Sequence, residues 1–271
     1  MSEQGTAVVT GASSGIGAEY ARRLADRGFD VVLVARRAPR LEGLASELRA
    51  RGVAVEVLVA DLSEPTDVAR VGARVRADDV SLLVNNAGIN GYGRFDEVDP
   101  AVVAKVVAVN VTALTVLTHA AVGGMRARGR GAVVNVASLL AFAGMLPPDP
   151  LPARVTYGGT KGYVVTFTRT LAAELEGSGV RAQVLCPGMT ATEFHVSADG
   201  EPVDDDAGAD APHPRAMSAA DVVQASLVGL DVGEVLVAPG LVDDAPVQAL
   251  AAAESGLRAA SVPDLAPRYR P

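Results

Sequence analysis

The sequence predicts an α/β protein built on a doubly wound parallel sheet of about seven strands, with helices on both faces. Three observations carry this expectation. Short β-branched runs alternate with helix-length segments along nearly the whole chain, the pattern of repeated βαβ units. A glycine-rich turn joins the first such run to the first helical segment. Residues able to bind or react stand just past the ends of the strand-like runs, where ligands of such sheets gather.

Composition bounds the rest. The chain has 271 residues, 49% hydrophobic and 21% charged, which suits a globular protein with a large core. A net charge of −8 argues against nucleic acid and anionic membrane as partners. One cysteine, Cys186, lies in an apolar run, so no intramolecular disulfide forms and a reducing, cytoplasmic setting is expected. Strand-like sequence begins at Thr6, which leaves no room for a secretory signal. The run Ala101–Met125 is apolar enough to raise a membrane span, but Lys105, Asn110 and His119 interrupt it. A soluble chain with this helix buried on most sides explains it better.

In chain order, Thr6–Thr10 forms the first strand and leads into Gly11-Ala12-Ser13-Ser14-Gly15-Ile16-Gly17. A helix with Ala18, Ala21, Leu24 and Ala25 on one stripe follows. Glycines there allow a tight turn and close approach to a pyrophosphate, whose charge then sits at the helix N-terminus. A second strand, Val31–Ala35, ends in Arg36-Arg37 before a helix running from about Pro39 to Arg51. NAD-binding units carry an acidic residue in this neighbourhood for the ribose 2′-hydroxyl. Two arginines suit a 2′-phosphate instead, so NADP is expected over NAD.

The third strand, Ala54–Val59, is closed by Asp61 and Leu62, with Asp61 a partner for the adenine amino group. The fourth, Leu82–Val84, runs into Asn85-Asn86-Ala87-Gly88, small and amide residues that suit close backbone approach to a cofactor. A long helix from Pro100 carries Asn110, and the fifth strand, Ala132–Ala137, ends at Ser138. A loop with Pro147, Pro148, Pro150 and Pro152 precedes a helix that bears Tyr157 and Lys161 and reaches about Glu176. Tyr157 and Lys161 stand four apart, on one helix face. A phenol has a reference pKa of about 10, and a neighbouring ammonium is expected to bring it toward the working range. The sixth strand, Arg181–Cys186, is followed by Pro187-Gly188; residues 190–216 are acidic and read as a mobile lid. A helix, Ala219–Leu230, and a strand, Glu234–Ala238, complete a single domain over 1–271, with a partly helical tail from Ala245.

From Thr6 to about Gly240 the chain resembles the short-chain dehydrogenase/reductase family, a Rossmann-type fold. The resemblance rests on TGASSGIG at Thr10–Gly17, NNAG at Asn85–Gly88, Asn110, Ser138, Tyr157 with Lys161, and PGMTAT at Pro187–Thr192. It implies an NADP(H)-dependent oxidoreductase acting on a small carbonyl or alcohol substrate. Tyr157 would exchange a proton with the substrate oxygen, and Ser138 would orient that oxygen. Lys161 would hold the nicotinamide ribose and lower the Tyr157 pKa, and Asn110 would support a water relaying protons to Lys161. Arg36 stands where NADP-preferring members carry arginine. Ser13, Ser14, Gly15, Ile16 and Gly17 match the phosphate loop, and Asp61 and Asn86, with Ala87 and Gly88, match adenine and ribose contacts. Pro187, Gly188, Thr190 and Thr192 match the nicotinamide clamp. No metal enters this reading.

The chain departs from the family in three places. The stretch between Ser138 and Tyr157 is longer than usual, Ser14 is not basic, and Gly158-Gly159 separates the catalytic pair. Each helical glycine costs roughly 1 kcal/mol, so close packing against cofactor or a partner helix is expected there. Members pair through the helices matching Pro100–Met125 and Thr156–Glu176, which implies a homodimer or homotetramer. An epimerase or cyclase without net redox, and an NADP(H)-sensing binding protein, are the alternatives on the same fold. The proline loop, Asn90–Phe95 and the acidic lid would line the substrate cleft.

Overall fold

The computed structural model describes residues 4–147, 151–192 and 216–270. Seven strands lie in one sheet: β1 (Thr6–Thr10), β2 (Asp30–Ala35), β3 (Val55–Val59), β4 (Val80–Asn85), β5 (Gly131–Val136), β6 (Val180–Leu185) and β7 (Leu236–Val237). Their order is β3-β2-β1-β4-β5-β6-β7, and every neighbouring pair is parallel. Strand order reverses between β1 and β4. In sheets of this kind ligands bind at the carboxyl edge beside such a reversal.

The strand side chains alternate between two buried layers. Ala7, Val9, Val31 and Leu33 face α1 (Gly15–Asp26), α2 (Ala38–Arg49) and α7 (Ala219–Val232), meeting Tyr20, Leu24, Leu41, Leu48 and Leu227. Val8, Val32, Leu83 and Val133 face the other way. There they meet Val71 of α3 (Pro65–Val75), Leu117 and Met125 of α5 (Leu114–Ala127), and Leu175 just past α6 (Val155–Glu174). Local chemistry sets the helix ends. Asp99 accepts from the Ala101 amide at 2.8 Å, and Ser218 accepts from the Asp221 amide at 3.0 Å. Gly233 ends α7 with φ +82, a conformation that favours glycine.

The expected unbroken helix from Pro100 is interrupted. α4 (Pro100–Val107) passes into a π-helical turn, Ala108–Ala113, before α5 begins. Asn110 lies in that turn, and its amide group is held by Ile89 on a neighbouring loop, a demand the regular ladder does not meet. Pro100–Ala127 is long and apolar enough to cross a bilayer by length and composition. Here one face of it is buried, through Leu114, Leu117, Ala121 and Met125, while Val107 and Val116 stay exposed.

The chain divides into two compact units, Met1–Pro239 and Gly240–Pro271. The second holds α8 (Ala245–Ala259) and a short 3-10 turn, Pro267–Tyr269, so its helical part is longer than the sequence led us to expect. Of the segment read as a lid, residues 193–215 lie outside the described residues, as do Pro148 and Pro150.

Candidate active site

The turn after β1 and the loop after β4 are clasped together. The Thr10 hydroxyl accepts from the Asn86 and Ala87 amides, both at 3.0 Å, and the Asn86 side-chain amide donates to the Thr10 carbonyl at 3.0 Å. That Asn86 side chain fills the space beside two glycines. A Cβ on Gly11 would lie 2.6 Å from Asn86 Nδ2, and one on Gly17 would collide with the Gly11 carbonyl oxygen. The sequence assigned these glycines to a phosphate and Asn86 to a ribose. Gly11, Gly17 and the Asn86 amide are thus also held by contacts within the fold, and at Gly15, with φ +53, a Cβ would lie 3.0 Å from Thr192.

The phosphate end is built of donors. Ser14 precedes α1 in an extended conformation and makes no side-chain cap, and the first turn has no acidic residue. Its leading amides therefore remain available to an anion. Arg37 lies over this turn, donating to Ser13 Oγ at 2.9 Å and Ser14 Oγ at 2.6 Å. Arg36 sits 3.9 Å from Asp61. Burial disfavours charge on Asp61, but hydrogen bonds from Ser63 and the nearby Arg36 and Lys105 hold its carboxyl below the ordinary range. Leu62 beside it is buried. Guanidinium, hydroxyl and amide donors at one helix start fit a dinucleotide carrying an extra phosphate. Of the two arginines, Arg37 is the one that reaches the loop, although family matching pointed to Arg36.

Ser138 lies two residues past β5 and opens a 3-10 turn, its hydroxyl accepting from the Leu140 amide at 3.1 Å. Tyr157, on the first turn of α6, shares a hydrogen bond with Ser138 and is buried. Lys161 comes next on the same face. Its ammonium donates to the Val136 carbonyl at 2.8 Å and lies 5.6 Å from the centre of the Tyr157 ring. Asn110 Oδ1 accepts from the Ile89 amide at 2.9 Å, and its Nδ2 donates to the Ile89 carbonyl at 2.9 Å and Thr160 Oγ1 at 3.2 Å. A Cβ on Gly88 would lie 3.4 Å from both Asn110 Oδ1 and Lys161 Nζ, so the NNAG loop lies close against these two side chains.

The electrostatics differ from expectation. The Tyr157 phenol is pushed well above its usual value, by burial first and by the neighbouring Tyr92 phenol second, with the Ser138 hydrogen bond opposing. Burial lowers Lys161 to about 8. An ammonium turned toward a carbonyl and itself desolvated does not supply the depression of Tyr157 that helix spacing suggested. Nor do the glycines between the pair have a tight packing role within the chain. A Cβ at Gly158 would make ordinary contacts, and one at Gly159 would meet open space.

Three further residues join the cluster: Thr160 and Arg154, which sequence reasoning passed over, and Tyr92, which it named only as part of the cleft-lining segment Asn90–Phe95. Thr160 donates to the Tyr157 carbonyl at 2.8 Å while accepting from Asn110. Arg154 is buried, donating to the Ala143, Leu146 and Pro152 carbonyls at 2.7, 3.1 and 3.0 Å, and so fixes the wall built by the longer loop. Tyr92 meets the Tyr157 ring edge-on. A polar residue next to Lys161 was a readable signal for Thr160; nothing periodic marks the other two. Pro187 accepts from the Leu139 amide at 2.9 Å, and Thr190 donates to the Gly188 carbonyl at 3.2 Å. These bonds set the strand-six loop beside Ser138.

The model of short chain dehydrogenases matches residues 5–201. A short chain dehydrogenase of Pseudocercospora fijiensis is 37% identical over 198 residues, which cover 72% of this chain and 62% of that protein, so the match spans less than two thirds of its length. A short-chain dehydrogenase from Sphingobium yanoikuyae, solved in complex with NADPH, is 38% identical and superposes with a TM-score of 0.88 over 98% of this chain and 100% of its own. The bulky-bulky ketone specific alcohol dehydrogenase from Comamonas testosteroni is 33% identical, with a TM-score of 0.86 over 98% of this chain and 99% of its own. The sheet order, the clasped glycine turn and these likenesses agree, and the chain belongs to the short-chain dehydrogenase family of oxidoreductases.

Proposed function

We propose that the protein is an NADP(H)-dependent reductase of ketones or aldehydes, or in reverse a dehydrogenase of the matching alcohols. The observation that carries this is the Tyr157 phenol, buried, bonded to Ser138 and backed by Lys161 at the carboxyl edge of the sheet. When bound, the nicotinamide supplies or accepts the hydride. Arg37, Arg36 and the Ser13 and Ser14 hydroxyls would hold the adenosine phosphate end, and the NADPH complex of the Sphingobium relative supports that choice of cofactor over NAD.

The chain's own groups account for the proton. A phenol kept neutral by burial is a proton donor, and a substrate oxygen placed between Ser138 and Tyr157 would take that proton as its negative charge develops. The Ser138 hydroxyl would orient the oxygen and stabilise it. Lys161, near neutrality at about 8, would then help restore the proton to Tyr157, with Asn110 and Thr160 fixing the geometry of that face. Ketone specificity in the Comamonas relative supports a carbonyl substrate.

We read the protein as one cytoplasmic catalytic domain that assembles as a homodimer or homotetramer. Val155, Gly159 and Tyr163 of α6 and Val107 and Val116 beside it form an exposed face of small and apolar residues, and Gly159 has room for a close partner. The test of function is NADPH absorbance with a panel of ketones and aldehydes, run beside NADH. Loss of NADPH in step with alcohol formation supports the reading. Conversion of substrate with no net nicotinamide change would turn it to an epimerase or cyclase.

A further inference from the structure

Tyr92 is a second phenol beside the reacting one. Its ring meets Tyr157 with centroids 5.4 Å apart at 73°, an edge-to-face contact that fixes both rings. Its segment is tied down, since the Gly93 amide donates to the Ala153 carbonyl at 3.0 Å. Ala153 precedes Arg154, which the three carbonyls immobilise. The Tyr92 side chain is half-buried, yet its hydroxyl has no hydrogen-bond partner among the described residues and keeps contact with solvent. It is also close enough to Tyr157 for charge on one phenol to be felt by the other. A packed ring whose hydroxyl has no partner among the described residues, set against the Tyr157 ring, is placed to bond a ligand that binds beside Tyr157. Sites built to hydrogen-bond a substrate oxygen discriminate strongly against analogues that lack it, because the site's polar group is then left unpaired.

We propose that Tyr92 determines substrate specificity. Its hydroxyl hydrogen-bonds an oxygen carried one or two carbons from the reacting carbonyl, so the preferred substrates are hydroxy ketones, diketones or oxo esters rather than plain ketones. This rests on the reductase reading above.

The experiment compares wild type with Tyr92→Phe, which keeps the ring against Tyr157, using NADPH and the full chain. Diacetyl, hydroxyacetone and ethyl acetoacetate form one group; butanone and cyclohexanone form the other. Activated carbonyls are intrinsically faster, so the readout is the ratio of kcat/KM between the two proteins for each substrate. The expected result is a loss of about tenfold or more for the oxygenated group, with the plain ketones within about twofold. Equal losses in both groups, which would mean Tyr92 acts only through the Tyr157 ring, or no loss in either, overturn the assignment while leaving the reductase standing. If wild type consumes NADPH with neither group, the reductase reading falls and this assignment falls with it.

Discussion

The Lys161 ammonium lies 5.6 Å from the centre of the Tyr157 ring, over its face, while its proton points to the Val136 carbonyl. A buried cation in that position costs the folded state. Its folded pKa of about 8 lies below the ordinary 10.5. Below about pH 8 both states are protonated and the burial cost stands in full. Between the two values the unfolded chain holds the extra proton, so stability rises with pH, by at most about 1.4 kcal/mol per unit. Melting temperatures of wild type and Lys161→Met across pH 7 to 10 check this. The wild type should gain on the variant as pH rises. Cys186, which burial pushes up to about 12 against an opposing pull from Lys161, acts in the opposite sense above 9 and differs between the two proteins, so pH 8 to 9 is the window that reads Lys161.

Tyr157→Phe removes the phenolic proton and leaves the ring and its Tyr92 contact in place. Turnover should fall by about a thousandfold or more, while NADPH binding, read by fluorescence titration, stays within about twofold. A variant that turns over at the wild-type rate would assign the proton to another group.

Arg37 reaches the loop hydroxyls and Arg36 reaches Asp61, so the two arginines should not be equivalent. Arg37→Ala is expected to weaken NADPH binding about tenfold or more, the scale of a charged hydrogen bond, with NADH changed little. Arg36→Ala should have the smaller effect. The reverse ranking would place the extra phosphate against Arg36.

Glycine substitutions separate packing from propensity. Gly17→Ala drives a methyl into the Gly11 carbonyl and should leave little folded protein. Gly43→Ala, on open surface within α2, should stabilise by about 0.5–1 kcal/mol. Gly159→Ala should do the same if its face stays in solvent. If instead a second copy packs there, Gly159→Arg will shift the protein to monomer in light scattering.

Much of this architecture was legible because strand and helix periods are written locally. Alternating runs such as Thr6–Thr10 and Val31–Ala35 announce a parallel sheet, and Ser138, Tyr157 and Lys161, singled out through the family resemblance, lie together in the fold. What escaped depends on contacts distant in sequence. The π turn at Asn110 answers to Ile89, Asn86 answers to Thr10 and Gly11, and neither bond leaves a periodic trace. The direction of the Tyr157 shift followed burial, which helix spacing alone does not reveal. Tyr92 shares its loop with Phe95, so only its place against Tyr157 singles it out.

The Thr10 hydroxyl, receiving two amides from the loop after β4, ties the glycine turn to the loop whose Gly88 lies against Asn110 and Lys161. A redesign of cofactor preference that disturbs this joint would spoil turnover as well, however well the new nucleotide fits. The rim at Arg36 and Arg37 lies outside the joint, and that is where such engineering should begin.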